Sequence, residues 1–527
     1  MNSTQRKRMA VHITVFLLAL SILLSSCGGN KPTTTTPSNS KEIEVLKVGM
    51  PMIPDYAAID LLNNSNNQGA RVGGNMFDAL LKIDKENNIV GRLAESWEWL
   101  DDQTIQLKLR DGVTFHNGYP FSAEDVKFTW DRIQAAEMVG TTSAKTSLGM
   151  IESVDIIDRL TIQIKTNIVD ISFENRLMDL TCIAVCSKQY IEEVGYDAYL
   201  LAPIGTGAFA LKSVSPERIV IERYDGYWGE APNVKTIEYL LYSETASRYT
   251  ALVNGEIDIM FDVPGDLRST VANTPGIKLF ELPNHTIQHV WFNVSSDGPT
   301  GNRDFRQALA RSIDRELLVK TFWGAGSYVP FGVQFKNYNE LLVEEYEGML
   351  AYDVEVAKEY LAKSGYNGEP IEIRIRPGHY AMAQDVLQAI MGMWSEHLGV
   401  NSFLVLDPNW AFNPFADVSF VATSSRFNNH DGVLGAVLTR GISWLNHAWS
   451  EEDIPQEYMD LMAEYRSTMD VGRRKEIAAR VLSIFDDIMP MVPLYTWERY
   501  TGVRDGLHFD LGEYTDIVFD ADVLWAE

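Results

Sequence analysis

The residues whose types could hold a small polar solute gather between Leu406 and Leu445. The run Asp407-Pro-Asn-Trp410-Ala-Phe-Asn-Pro leads into the strand-like Val418-Ser-Phe-Val-Ala. That strand empties into Thr423-Ser424-Ser425-Arg426-Phe-Asn-Asn429-His430-Asp431-Gly, with Trp444 further on. A strand delivering Ser, Thr, Asn, His, Arg and Asp into one loop suits a pocket of convergent polar groups. Arg426 can receive a carboxylate as a bidentate fork, the plainer reading being a surface arginine. Trp410 and Trp444 offer flat faces for a sugar or an aromatic group, the plainer reading being packing between layers.

Catalytic patterns of comparable density are missing. The sequence has no Gly-x-Ser-x-Gly elbow, no His-Glu-x-x-His and no Cys-x-x-Cys. Its 9 His are scattered. His285 and His289 would suit a metal if they shared a helix, but Pro283 and the apolar Val290 to Phe292 argue for a strand, where they stand about 13 Å apart. The expectation is a binding protein rather than an enzyme, with no cofactor and no metal. Hydrolysis by some pair among the 72 Asp and Glu is the distant alternative.

Charge narrows the partners. With 45 Lys and Arg against those 72 acids, the formal charge is −27 and no basic stripe interrupts it, which excludes nucleic acid as the main partner. A chain of 527 residues, 46% apolar and 22% charged, is a folded body with room for several cores, neither disordered nor polytopic.

The N-terminus differs from the rest. Arg6, Lys7 and Arg8 precede an apolar run from Val11 to Leu24, shorter than the ~20 residues a spanning helix needs. This is the grammar of a signal peptide over 1–26, and Leu24-Ser-Ser-Cys27-Gly resembles a lipobox, which implies that Cys27 becomes the lipid-bearing mature N-terminus. The polar, Pro- and Thr-rich stretch 27–42 reads as a flexible tether. Cys182 and Cys186 lie in an apolar run read as a buried strand, about 13 Å apart and too far for a disulfide.

Periodicity supplies the supporting elements. Ile43 to Val48 reads as a first strand, and Trp97, Trp99 against Ile105, Leu107, Leu109 as a hairpin around Asp101-Asp102. Ser122 with Asp125 makes a capping-box-like start for a helix carrying Val126, Trp130 and Ile133. Ile219 and Ile221 form a strand, Tyr249 to Val253 a helix stopped by Gly255, and Ile257, Ile259, Phe261 another strand. Asp314 and Asp353 cap further helices, the second ending at Gly365. Interleaved strands and helices make an α/β body with mixed sheets flanked by helices, built from non-contiguous segments.

Ordered stretches then converge on one family: Leu93-Ala-Glu-Ser-Trp97 through Asn117-Gly118, Pro203-Ile-Gly-Thr-Gly-Ala-Phe209, Asn254-Gly-Glu-Ile-Asp258, Phe292-Asn293 with Phe305-Arg306-Gln-Ala-Leu309, and Met489-Pro490 through Tyr495. In this order they resemble the family 5 extracytoplasmic solute-binding proteins of ABC importers, the oligopeptide, dipeptide and nickel type. The resemblance implies a two-lobed clamshell with an additional domain and a two-strand hinge. One lobe would comprise 43–78, 202–285 and 496–527, the extra domain 79–201 and the other lobe 286–495, with bending near 288–293 and 492–496. It also implies a monomer outside the cytoplasm, anchored to a bacterial membrane through Cys27, that captures a peptide and delivers it to permease subunits. Asp417 matches a structural step of the family, Asp431 is the candidate partner of a peptide ammonium, and Tyr495 and Trp497 would close one wall. An oligosaccharide or a nickel chelate remains open as ligand.

Overall fold

The computed structural model describes residues 42–527 apart from 55–58, 63–66, 86–87, 136–143, 146–147, 283–285, 324–326, 336–341, 344–349, 378–379, 381, 409–415, 425–453, 497–498 and 511–517. The alternating apolar run at the start forms strand β1 (Ile43–Met50), whose Leu46, Val48 and Met50 are fully enclosed. Helix α1 (Asn67–Gly73) follows. The expected hairpin is β2 (Ala94–Asp101) and β3 (Thr104–Leu109), with Trp97 opposite Leu107 and Trp99 opposite Ile105. Helix α2 (Ala123–Gln134) starts where the capping signal places it: the Asp125 carboxylate accepts from the Ser122 backbone N–H at 2.9 Å, and Val126, Trp130 and Ile133 are buried. Strands β4 (Ile151–Asp158) and β5 (Thr161–Thr166) complete a four-stranded antiparallel sheet in the order β2-β3-β5-β4.

One local reading fails. Leu180–Ile183, expected within a strand, is a helical turn. The Asp179 side chain accepts from the Thr181 N–H at 2.8 Å and from its hydroxyl at 2.6 Å. A cap of this kind overrides the weak β preference of a short apolar run. Both cysteines are buried and unbridged, as expected.

The chain then returns to β1. Strands β6 (Phe209–Ser215), β7 (Arg218–Arg223), β8 (Val234–Leu241), β9 (Ile259–Val263) and β10 (Ile277–Leu282), with helix α3 (Thr245–Val253) before β9, build most of a seven-stranded sheet. The Gly-Thr-Gly motif leading into β6 is explained by proximity, not by turn geometry. A Cβ on Gly205 would stand 2.0 Å from the Met76 carbonyl oxygen, and one on Gly207 2.6 Å from its carbon.

A second sheet is made almost wholly from later residues: β11 (Thr286–Phe292), β12 (Ile371–Ile375), β13 (Ser402–Leu406), β14 (Val418–Ser424) and β15 (Met491–Thr496), in the order β13-β12-β14-β11-β15. Helices α4 (Arg303–Arg311) and α5 (Ala383–Leu398) cover one face through Phe305, Leu309, Leu387 and Trp394 against Val290 and Phe292. Helices α6 (Gln456–Ser467) and α7 (Val471–Ile488) cover the other through Tyr458, Met462, Val481 and Phe485 against Ile287 and Trp291. Covered on both faces, β11 is buried along its whole length, its polar Thr286, Gln288 and His289 included. The caps at Asp314 and Asp353 form as expected, and Gly365 ends its helix at φ 70°. The last long strand, β16 (Arg499–Arg504), returns to the first sheet, giving the order β10-β16-β9-β1-β8-β7-β6.

Candidate functional site

Two places carry the chain from one sheet to the other. Leu282 ends β10 and Thr286 begins β11; Thr496 ends β15 and Arg499 begins β16. Four and three residue steps span at most about 14 and 10 Å, so the sheet ends bearing these residues face each other across a narrow seam. The segments expected to bend, 288–293 and 492–496, lie largely inside the five-stranded sheet, where ladder hydrogen bonds hold β11 between β14 and β15. The steps between the sheets fall after Leu282 and before Thr286, and after Thr496 and before Arg499.

On the five-stranded side the register gathers polar residues at the seam. Thr286 stands opposite Ser424, Ile287 opposite both Thr423 and Thr496, and Gln288 opposite Tyr495. Strand β14 therefore ends on the same side of its sheet as both crossings. The Tyr495 ring is enclosed beneath the seam, 5.3 Å from the Trp323 ring, and burial pushes its hydroxyl pKa up. Trp410, Ser425, Arg426, Asn429, His430, Asp431, Trp444 and Trp497 lie outside the described residues, as does Cys27. Asp417 is structural, as expected: its carboxylate accepts from the Glu372 backbone N–H at 2.9 Å and from the Ser296 hydroxyl at 3.4 Å. Arg306 fastens elements through backbone oxygens, donating to the carbonyls of Thr300, Gly301, Ile488 and Met489.

The seven-stranded side presents charge, and this the sequence reading missed. Asp262, near the end of β9, adopts φ 55° at an irregularity between Met260 and Val263. Its carboxylate receives Arg71 Nη2 at 2.7 Å, with Arg499 Nε at 3.8 Å. Burial pushes the Asp262 pKa up, but Arg71, with Arg499 and Arg248 beyond it, outweighs that and holds it at about 2. Arg71 and Arg248 are 4% and 3% exposed, and each keeps a buried Nε without a hydrogen-bond partner. Arg248 crosses Gly49, where a Cβ would meet its Cγ at 3.1 Å, and donates to the Tyr242 carbonyl at 2.7 Å. A signal was present in the sequence: an acidic residue inside Ile259-Met-Phe-Asp-Val263 must find a cation if that strand is buried.

Two α/β lobes built on separate sheets, joined by two short links with polar and charged residues at the facing ends, define a clamshell of the periplasmic-binding type. The chain belongs to the bacterial extracellular solute-binding proteins, family 5; the family's model, described as the middle region, matches residues 88–440. It is 25% identical over 340 residues to the glutathione-binding protein GsiB of Pectobacterium atrosepticum, covering 63% of this chain and 64% of that protein. To the dipeptide-binding protein of Escherichia coli K12 it is 28% identical over 353 residues, covering 60% and 63%. The matches thus span less than two thirds of these relatives' lengths. The dipeptide-binding protein of Pseudoalteromonas sp. SM9913, solved in complex with Met-Leu, shares the fold with a TM-score of 0.81 at 18% identity over 92% of this chain and 100% of that one.

Proposed function

We propose that the protein captures a peptide between its lobes and delivers it, chemically unchanged, to the permease of an ABC importer. The observation that carries the reading is that β14 ends, at Thr423 and Ser424, at the sheet end where both crossings leave, within a family of solute-binding proteins. The names of the relatives, for glutathione and for dipeptides, support peptides as the ligand class. The lobes are 43–78 with 202–285 and 496–527, and 286–495, with 79–201 as the added domain. The protein acts as a monomer outside the cytoplasm, held to the membrane by lipid on Cys27. A diacylglyceryl group supplies the two chains that stable anchoring needs.

Thermal-shift screening of residues 27–527 against dipeptides, oligopeptides, oligosaccharides and nickel chelates tests the ligand class, because a bound ligand raises apparent stability by mass action. Peptides should shift the transition; a shift with sugars or chelates alone would replace the peptide reading. Asp431→Asn should weaken peptides with a free amino terminus by about 2 to 5 kcal/mol, as for truncating one partner of a buried pair. Cys27→Ser should move the protein from the membrane to the soluble fraction.

A further inference from the structure

We propose that Arg71 and Arg248, with Arg499 beside them around Asp262, form a receiving site on the seven-stranded lobe for a carboxylate of the captured solute. The inference rests on the solute-binding reading and adds a polarity to it: the acid end of the ligand lies on this lobe.

Charge and burial carry the argument together. Arg71 and Arg248 are each almost fully enclosed: Arg71 pairs with Asp262 and donates from Nη1 to Gln68 at 3.0 Å, Arg248 donates to the Tyr242 carbonyl and makes no ion pair with Asp262, and Arg499 approaches the Asp262 carboxylate. Asp262 gives its short contact to Arg71, and the exposed Glu244 is the weaker carboxylate neighbour of Arg248. Buried cations call for matching anions, so a place holding more guanidinium than carboxylate among the described residues is prepared for another negative group. That such an excess occurs in a chain of formal charge −27 makes it local and specific. The buried Nε of Arg71 and that of Arg248 are donors awaiting an acceptor, and the guanidinium fork matches a carboxylate in shape.

Position supplies the second line. Strands β1 and β9 run parallel, and Met50 and Val263 end them on the side of the sheet where Arg499 begins β16 and Leu282 ends β10. In open α/β sheets the carboxyl ends of parallel strands are where ligands sit. Here that end also carries both crossings, since Leu282 and Arg499 stand opposite each other in the ladder of β10 and β16.

The test uses matched peptides, tri-alanine, Ala-Leu-Ala and glutathione, each as free acid and as C-terminal amide, titrated calorimetrically into the mature protein. The parent should bind the acids about tenfold or more tightly than the amides, the loss expected when a charged hydrogen-bond partner is removed. Arg248→Gln and Arg499→Gln should each shrink that ratio. Asp262→Asn removes the competing carboxylate, and asparagine tolerates the positive φ, so it should tighten acids while leaving amides unchanged. Equal binding of acid and amide by the parent overturns the site while leaving the peptide reading intact. So does a ratio unchanged in both arginine variants. If no peptide binds in either form, the peptide reading fails by itself, and succinate and sulfate then decide the site. Stabilisation of the parent, larger in Asp262→Asn, upholds it, and no stabilisation overturns it.

Discussion

The two lobes are fastened by different chemistry. The seven-stranded lobe and its added domain rely on ion pairs of enclosed arginines: Arg132 with Asp60, Arg92 with Asp78 at 2.6 Å and Asp520 at 3.1 Å, and Arg71 with the part-exposed Asp262. In the five-stranded lobe Arg306, 2% exposed, binds backbone oxygens, Arg315 donates to the carbonyls of Pro493 and Leu350, and Gln307 to that of Asp486. An arginine on carbonyls stabilises a loop at any ordinary pH, whereas an ion pair leaves a stranded charge when one partner is lost.

Buried histidines differ in the same way. His116 has both ring nitrogens engaged, Nε2 with the Gly207 carbonyl at 3.0 Å and Nδ1 accepting from the Gly205 N–H at 3.2 Å, which fixes the neutral tautomer with its proton on Nε2. His289, in the middle of β11, is wholly buried with neither ring nitrogen bonded. Burial lowers the pKa of His116 to about 4, against the opposing pull of the Gly207 hydrogen bond, and that of His289 to about 3.

The largest effect should come from breaking a pair. Arg132→Met leaves Asp60 buried without its cation and should lower stability by about 3 to 5 kcal/mol in urea unfolding, with Asp60→Leu added to it restoring most of the loss. A single-variant loss near zero would erase the contrast between lobes.

Acid should act next. Both histidines titrate lower in the folded state than the 6.5 of a free side chain, so the unfolded chain takes up protons first. Stability is therefore full above about pH 6.5 and falls below it, by up to about 1.4 kcal/mol per unit for each histidine, or roughly 3 kcal/mol each by pH 4. His289→Phe should remove about half of that slope. Asp262 loses stability in the same direction but in a lower window: its contribution is present above about pH 4 and is lost only as pH falls toward about 2. Melting curves from pH 7 to 3 separate the two windows.

Arg306→Met deprives several carbonyls of their donor and should destabilise by about 1 to 3 kcal/mol, less than Arg132→Met. Lys127→Ala, which removes an exposed pair with Asp131 one helical turn away, should change stability by no more than about 0.5 kcal/mol.

Local chemistry was legible wherever the signal was short-ranged. The hairpin at Asp101-Asp102, the helix start at Ser122, the caps at Asp314 and Asp353 and the stop at Gly365 each follow from residues within a few positions of one another. The turn at Leu180–Ile183 was misread because the decisive cap, Asp179, lies just outside the apolar run. The polar composition of 423–431 marked the loop, but not that β14 ends on the same side of its sheet as both crossings.

By itself, then, the sequence determined the type of most elements, the mixed α/β class and the family, because capping, alternation and ordered motifs are local and cumulative. Only the tertiary structure decided the strand order, the crossings after Leu282 and after Thr496, and the gathering of Arg71, Arg248, Asp262 and Arg499. Those four residues come from a helix near the start of the fold, another helix, a bulged strand and the last long strand. Nothing in their spacing announces the cluster, because sheet pairing between distant segments sets their distances, and the charge they must balance exists only once both guanidinium groups are buried together.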